Sequence, residues 1–193
     1  MTTTSPFATR LTRALRERVR SLADLSRPEG PAFLAAAVGT EVAKATEFGP
    51  LEKLCKPLIV PAALTIALRD GRLSPVDTAL LSATGAAYTT GDVILMLGGG
   101  HASRSSTRLV SGAAAFGVGH LALGGLMLRS GIRFKPVQLA VHGVIAGAAG
   151  AVLVSEGREN APLAAYGGLL ATLSALATSV DRRSGPAASV LAV

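Results

Sequence analysis

Apolar residues gather along this chain into stretches of about 17 to 22, separated by short segments that hold most of the charge. That is the length needed to cross a hydrocarbon core ~30 Å thick at ~1.5 Å per helical residue. The pattern predicts an all-α fold, a polytopic helical membrane bundle with spans at roughly 31–48, 54–70, 77–98, 108–128, 136–154 and 161–180. Glu41, Lys44 and Glu47 interrupt the first span, and the fifth and sixth are alanine-rich and only mildly apolar. Pro31, Pro75, Pro136 and Pro162 stand at or just before span starts, where a missing N–H costs nothing. Pro57 and Pro61 lie inside the second span and predict a kink there.

Three regions follow: a basic N-terminal segment (1–30), a transmembrane domain (31–180) and a short tail (181–193). Within the first, Leu11, Leu15, Val19 and Leu22 recur at three- and four-residue steps among arginines. This suggests an amphipathic helix on an anionic membrane face, with a mobile basic tail as the alternative. No apolar core follows within the first thirty residues, so the segment does not read as a secretory signal. In the spans, Gly112, Phe116, His120 and Gly124 form one stripe at four-residue steps, and Gly143, Gly147 and Gly150 form another. Small residues let helix backbones approach closely, which drives association once lipid has removed the hydrophobic term. No repeat of period 20 to 50 is visible, so a solenoid is not supported.

Composition sharpens the picture. Of the 193 residues 49% are hydrophobic and 16% charged, with a mean hydropathy of +0.46. A soluble domain averages about 25% charged residues, and a disordered chain has far less apolar content. Cys55 is the one cysteine, so no internal disulfide is possible. The net charge of +7 raises the question of nucleic acid, yet five Phe and two Tyr offer little to stack on bases and the cations form no patch. Sorted by side, thirteen of the nineteen basic residues fall on one face: six in 1–30, then Arg69, Arg72, Arg129, Arg133, Lys135, Arg182 and Arg183. The positive-inside bias predicts a multi-pass protein of the cell membrane with both termini cytoplasmic.

Ionisable groups at membrane depth are costly, at least about 2.5 kcal/mol each on insertion scales, so each is a functional candidate. They are Glu41, Lys44, Lys56, Asp92, His120 and His142. By rise per residue, the first five could converge in one pocket, and His142 falls towards the inner face. Glu41 and Lys44 are three apart and could simply neutralise each other. Lys56 could snorkel to the interface. Gly85, Tyr88 and Asp92 share a face, which gives the carboxyl an inward direction and a tyrosine neighbour; a helix-end contact at the Gly98-Gly99-Gly100 turn is the structural alternative. His120 and His142 each admit a purely packed, hydrogen-bonded reading. No GxxxxGK[ST], GxSxG or HExxH is present. His101, His120 and His142 sit on different elements, so neither metal nor cofactor is expected from sequence.

Three segments carry a resemblance: Lys56-Pro57-Leu58 in the second span, Gly91-Asp92-Val93-Ile94-Leu95-Met96-Leu97 closing the third, and Phe116-Gly117-Val118-Gly119-His120 in the fourth. A fainter match is Tyr166-Gly167-Gly168-Leu169-Leu170 in the sixth. In this order and spacing they resemble the lysoplasmalogenase (YhhN-like) family of multispan membrane proteins, over roughly 31–180. The resemblance implies a membrane hydrolase that cleaves the vinyl-ether bond of lysoplasmalogens to a fatty aldehyde and a glycerophospho-alcohol. It carries over Lys56, Asp92 and His120, with Asp92 as the acid–base carboxylate. Vinyl-ether hydrolysis is limited by protonation of the enol carbon, and a low-dielectric setting favours the neutral, proton-donating form of a carboxyl group. On this reading Asp92, His120 and Glu41 are the catalytic candidates, and Lys56, Tyr88 and Lys44 are the contacts to a lysophospholipid substrate drawn from the bilayer. Relatives usually have eight spans, with a Ser-Asp or Ser-Asn motif on a Gly-rich seventh, so the chain is expected to be about two spans short, and Asp181 in its basic cluster is no replacement. The alternative function is a non-catalytic bundle or small carrier whose charges form an ion-pair network.

Overall fold

The computed structural model describes residues 24, 26–69, 73–97 and 106–180. The amphipathic segment around Leu11 to Leu22, the Gly98-Gly99-Gly100 turn, His101 and the tail after Val180 lie outside the described residues. All regular structure among the described residues is helical: α1 (Glu29–Ala45), α2 (Gly49–Arg69), α3 (Pro75–Met96), α4 (Ser106–Arg129), α5 (Pro136–Glu156) and α6 (Ala161–Thr178), with a 3-10 turn at Arg158–Asn160. Each expected span is met by one helix. Three stretches, Thr107–Arg129, Pro136–Glu156 and Arg158–Thr178, are long and apolar enough to cross a membrane. α1 has only 17 residues and carries Glu41 and Lys44, and α2 carries Glu52, Lys53, Lys56 and Arg69.

The chain divides into two compact units, Met1–Arg69 and Asp70–Val193. In the first, α1 packs on α2. The contact face of α1 is small: Ala36, Thr40 and Ala43 are buried, and a Cβ on Gly39 would lie 2.6 Å from the Cys55 sulfur. Close approach of this kind needs glycine or alanine. α2 runs without a break through Pro57 and Pro61. Thr65 donates to the Pro61 carbonyl at 2.9 Å.

In the second unit α4 packs against both α3 and α6, and α5 packs against α6. Met127, Ile132 and Leu176 form the buried apolar cluster, with Leu123, Leu173 and Val180 packed around it. α5 buries none of its residues and leaves Val137, Val144, Ile145 and Val152 more than half exposed. An apolar surface of that kind suits a lipid solvent, since in water it would be a contiguous exposed patch.

Helix ends follow local chemistry. Ser74 caps α3 by accepting from the Asp77 N–H at 3.2 Å, and its hydroxyl donates to the Asp77 carboxylate at 2.7 Å, with Pro75 in the first turn. α1 and α4 end in the same hydrogen-bond pattern. The Phe48 N–H donates to the Ala43 carbonyl (2.9 Å) and Glu47 to Lys44 (3.3 Å); Ile132 donates to Met127 (3.1 Å) and Gly131 to Leu128 (3.1 Å). This is the Schellman motif, which puts one residue in the left-handed region. Gly131 holds that position with φ 88° and Glu47 holds it with φ 55°. Ile132 then folds back on Met127, adding the apolar contact that accompanies the motif.

Three antiparallel helix pairs result, each closed at its open end by a polar contact. Arg69 at the end of α2 pairs with Glu29 at the start of α1. Arg129 at the end of α4 donates from Nε to Asp77 at 2.8 Å. The Lys135 N–H before α5 donates to the buried Ser179 hydroxyl after α6 at 3.0 Å, and Ser179 in turn donates to the Ala175 carbonyl at 2.6 Å.

Candidate active site

The functional candidates of the second unit sit where α3 and α4 interlock through glycines. A Cβ on Gly91 would lie 2.7 Å from the Phe116 ring, one on Gly112 would lie 2.6 Å from Leu95, and one on Gly119 would overlap the Tyr88 ring. Each helix therefore supplies notches for the other's large side chains. Gly91 of α3 receives Phe116, and Gly112 and Gly119 of α4 receive Leu95 and Tyr88. The buried Thr84 hydroxyl adds a link, 2.9 Å from the Leu80 carbonyl of its own helix and 3.4 Å from the Gly119 carbonyl across the interface.

This interlock brings Tyr88 against His120. Their ring centroids are 5.2 Å apart, edge to face at 62°, and Tyr88 also meets Phe116 at 5.8 Å. From α6, Tyr166 reaches the other histidine contact, 5.5 Å away at 79°. Edge-to-face geometry at this separation is favourable for aromatic pairs. His120 is buried, and its Nδ1 lies 2.6 Å from the Phe116 carbonyl oxygen. Asp92 stands on α3 beside Gly91, half-buried, four residues beyond Tyr88, which is one turn or ~6 Å along the axis. Three helices thus contribute rings to one aromatic cluster around His120.

The remaining candidates behave differently. Glu41 and Lys44 lie in the first unit, on the exposed side of α1, and pair with each other at 3.1 Å. That is the neutralisation their three-residue spacing allows. Lys56 lies half-buried on α2 of the same unit, immediately before Pro57. His142, on α5, bonds within its own helix, Nδ1 to the Gln138 carbonyl at 2.8 Å. Among the described residues, no group of three or more His, Cys, Asp and Glu side chains is close enough to hold a metal ion.

Sequence reasoning placed Phe116 and His120 on one face because they are four residues apart, and their contact follows from that. Tyr166, which that periodicity does not reach, joins the cluster from α6. Its only signal was the faint Tyr166-Gly167-Gly168 match, because nothing in periodicity says which helix lies beside α4.

The chain gives no match among curated proteins and none among solved structures. The profile of the YhhN family matches residues 51–193, which is well over half of the 193. The matched segment contains Lys56, Tyr88, Asp92, His120 and Tyr166, while Glu41 and Lys44 precede it. With three helices able to cross a bilayer and an α5 that exposes apolar side chains throughout, the match points to a membrane protein. The chain belongs to the YhhN family.

Proposed function

We propose that the chain is a membrane-embedded hydrolase of the lysoplasmalogenase type, cleaving the vinyl-ether bond of lysoplasmalogens. The observation that carries this reading is the family match, which takes in Lys56, Asp92 and His120 together. The His120 cluster supports it by supplying a buried imidazole on α4, the helix that packs against the one carrying Asp92. In the proposed chemistry Asp92 is the general acid. Its proton goes to the enol carbon, and the resulting oxocarbenium is captured by water with His120 as polar support. Tyr88 sets one wall for the substrate. The phosphate contact assigned to Lys56 rests on the Lys56-Pro57-Leu58 motif alone, with the ammonium acting as a point charge. Glu41 and Lys44, already paired with each other, precede the matched segment and complete the reading as polar support and substrate contact.

All six helices are taken as spans of the cell membrane, with both termini cytoplasmic, the arrangement that puts thirteen basic residues inside. The deciding measurement is aldehyde release from lysoplasmenyl lipids by detergent-purified protein. Wild type should release aldehyde, and Asp92→Asn should lose at least 100-fold in kcat, the scale of a lost general acid. Release no greater than from an empty-vector preparation would overturn the hydrolase reading in favour of a carrier or structural bundle. Full activity in Asp92→Asn would remove Asp92 from its role.

A further inference from the structure

Two tyrosines from different helices meet the His120 ring, and the chemistry above uses only one of them. We propose that Tyr166 is a positioning residue which, with Tyr88, holds His120 so that Nδ1 donates to the Phe116 carbonyl and Nε2 is presented as the proton acceptor for the attacking water. The water-activating part rests on the hydrolase reading; the positioning part does not.

The tautomer follows from the partner. A backbone carbonyl only accepts, so at 2.6 Å from the Phe116 oxygen the proton is on Nδ1. In the neutral ring that leaves the Nε2 lone pair available, and the bond made by one nitrogen sets the role of the other. The hydrogen bond alone does not fix the ring, because it is a single contact about which the side chain can still rock. His142 makes the same four-residue bond from the same atom, yet it is only half-buried and has no aromatic partner among the described residues. His120 differs in being buried and in meeting Tyr88 of α3 at 62° and Tyr166 of α6 at 79°. Rings on two separate helices restrict rotation about the bond to the imidazole, which keeps Nδ1 on the carbonyl and Nε2 in one direction.

The proton balance then closes. Asp92 gives its proton to the vinylic carbon, and the π electrons of the double bond form the new C–H bond, leaving an oxocarbenium. A lone pair of water bonds to the oxocarbenium carbon as one water proton passes to Nε2. When the hemiacetal collapses, the bond to the glycerol oxygen breaks with its electron pair on that oxygen, which takes the proton from Nε2. The hemiacetal hydroxyl proton returns to the Asp92 carboxylate. Aldehyde and glycerophospho-alcohol leave, and both side chains regain their starting forms.

The test is nitrogen NMR of 15N-histidine-labelled full-length protein in detergent, with the His120 signals assigned by their loss in His120→Gln. Wild type should show protonated Nδ1 and bare Nε2. Tyr166→Phe keeps the ring and should keep both the tautomer and the wild-type kcat. Tyr166→Leu should show mixed tautomers and lose about tenfold or more in kcat with KM within about twofold, part of the general-base contribution. A bare Nδ1 in wild type, a measurement that needs no folded variant, would overturn the proposal. So would an unchanged His120 spectrum in a helical Tyr166→Leu protein. If wild type releases no aldehyde, the hydrolase reading fails while the spectra still decide whether Tyr166 positions His120.

Discussion

Glu47 and Gly131 occupy the same place in the same motif, and they make a controlled pair. Both residues have positive φ, 55° and 88°, and both follow a helix closed by the same two backbone bonds. A side chain in the left-handed region costs about 1 to 2 kcal/mol. Glycine avoids that cost but brings about 0.5–1 kcal/mol of extra freedom to the unfolded chain. Glu47→Gly should therefore stabilise by about 0.5–1 kcal/mol, and Gly131→Ala should destabilise by a similar amount. A Cβ at Gly131 meets nothing within 4 Å, so the second value isolates the backbone term. Thermal unfolding of the two variants in the same detergent checks both signs. Glycine is the usual residue at such a position, and Gly131 stands in an obvious turn before Pro136. Glu47 was legible only as a charge interrupting the first span, because a glutamate gives no hint of its own φ. The site divides the same way. Phe116 with His120 is a local relation along one helix, whereas Tyr88 with His120 and Tyr166 with His120 require knowing which helices are neighbours.

At the scale of elements, each antiparallel pair closes its open end with an acceptor near one helix end and a donor near the other. In the first two pairs the acid sits in the first turn and the arginine in the last, so each charge also lies at the favourable end of its helix dipole. The hydrogen bond from Arg69, assisted by the backbone N–H, holds the Glu29 carboxyl below the ordinary carboxylate range. A lowered folded-state value means the clasp stabilises the pair fully above the unfolded glutamate range and loses that contribution as pH falls from there through the lowered folded-state value. Between about pH 5 and pH 3 the protein should lose thermal stability more steeply than Glu29→Gln does, as followed by circular dichroism in detergent at fixed ionic strength. Equal slopes would mean that the clasp adds nothing. The helices themselves were largely legible: proline placement and apolar length predict all six, with ends within five residues. Pro57 and Pro61 leave α2 continuous because each proline removes a single ladder bond, the ones to the Lys53 and Pro57 carbonyls, and the rest of the ladder holds.

For the molecule as a whole, the solvent is the main determinant. α5 has no buried residue and exposes valines and isoleucine along its length, which fits a helix that meets lipid on most of its surface. In the proposed six-span arrangement the basic residues Arg129, Arg133 and Lys135 lie at a membrane edge, and Arg129 makes the Asp77 contact there. Cytoplasmic and periplasmic reporters fused after residue 183 and within the 98–105 segment should report opposite sides, the first cytoplasmic. A periplasmic signal at 183 would overturn the six-span orientation.

The sequence by itself determined the membrane-compatible apolar lengths, the six helices of the described residues with their approximate ends, and the family motifs. All of these depend on composition or on spacing along one element. Only the tertiary structure decided that Gly91, Gly112 and Gly119 are notches for specific rings, and that Tyr166 of α6 reaches His120 of α4. A stripe of small residues says that some helix can approach closely, but van der Waals complementarity between two surfaces chooses the partner. That choice turns three separate motifs of the second unit into one cluster.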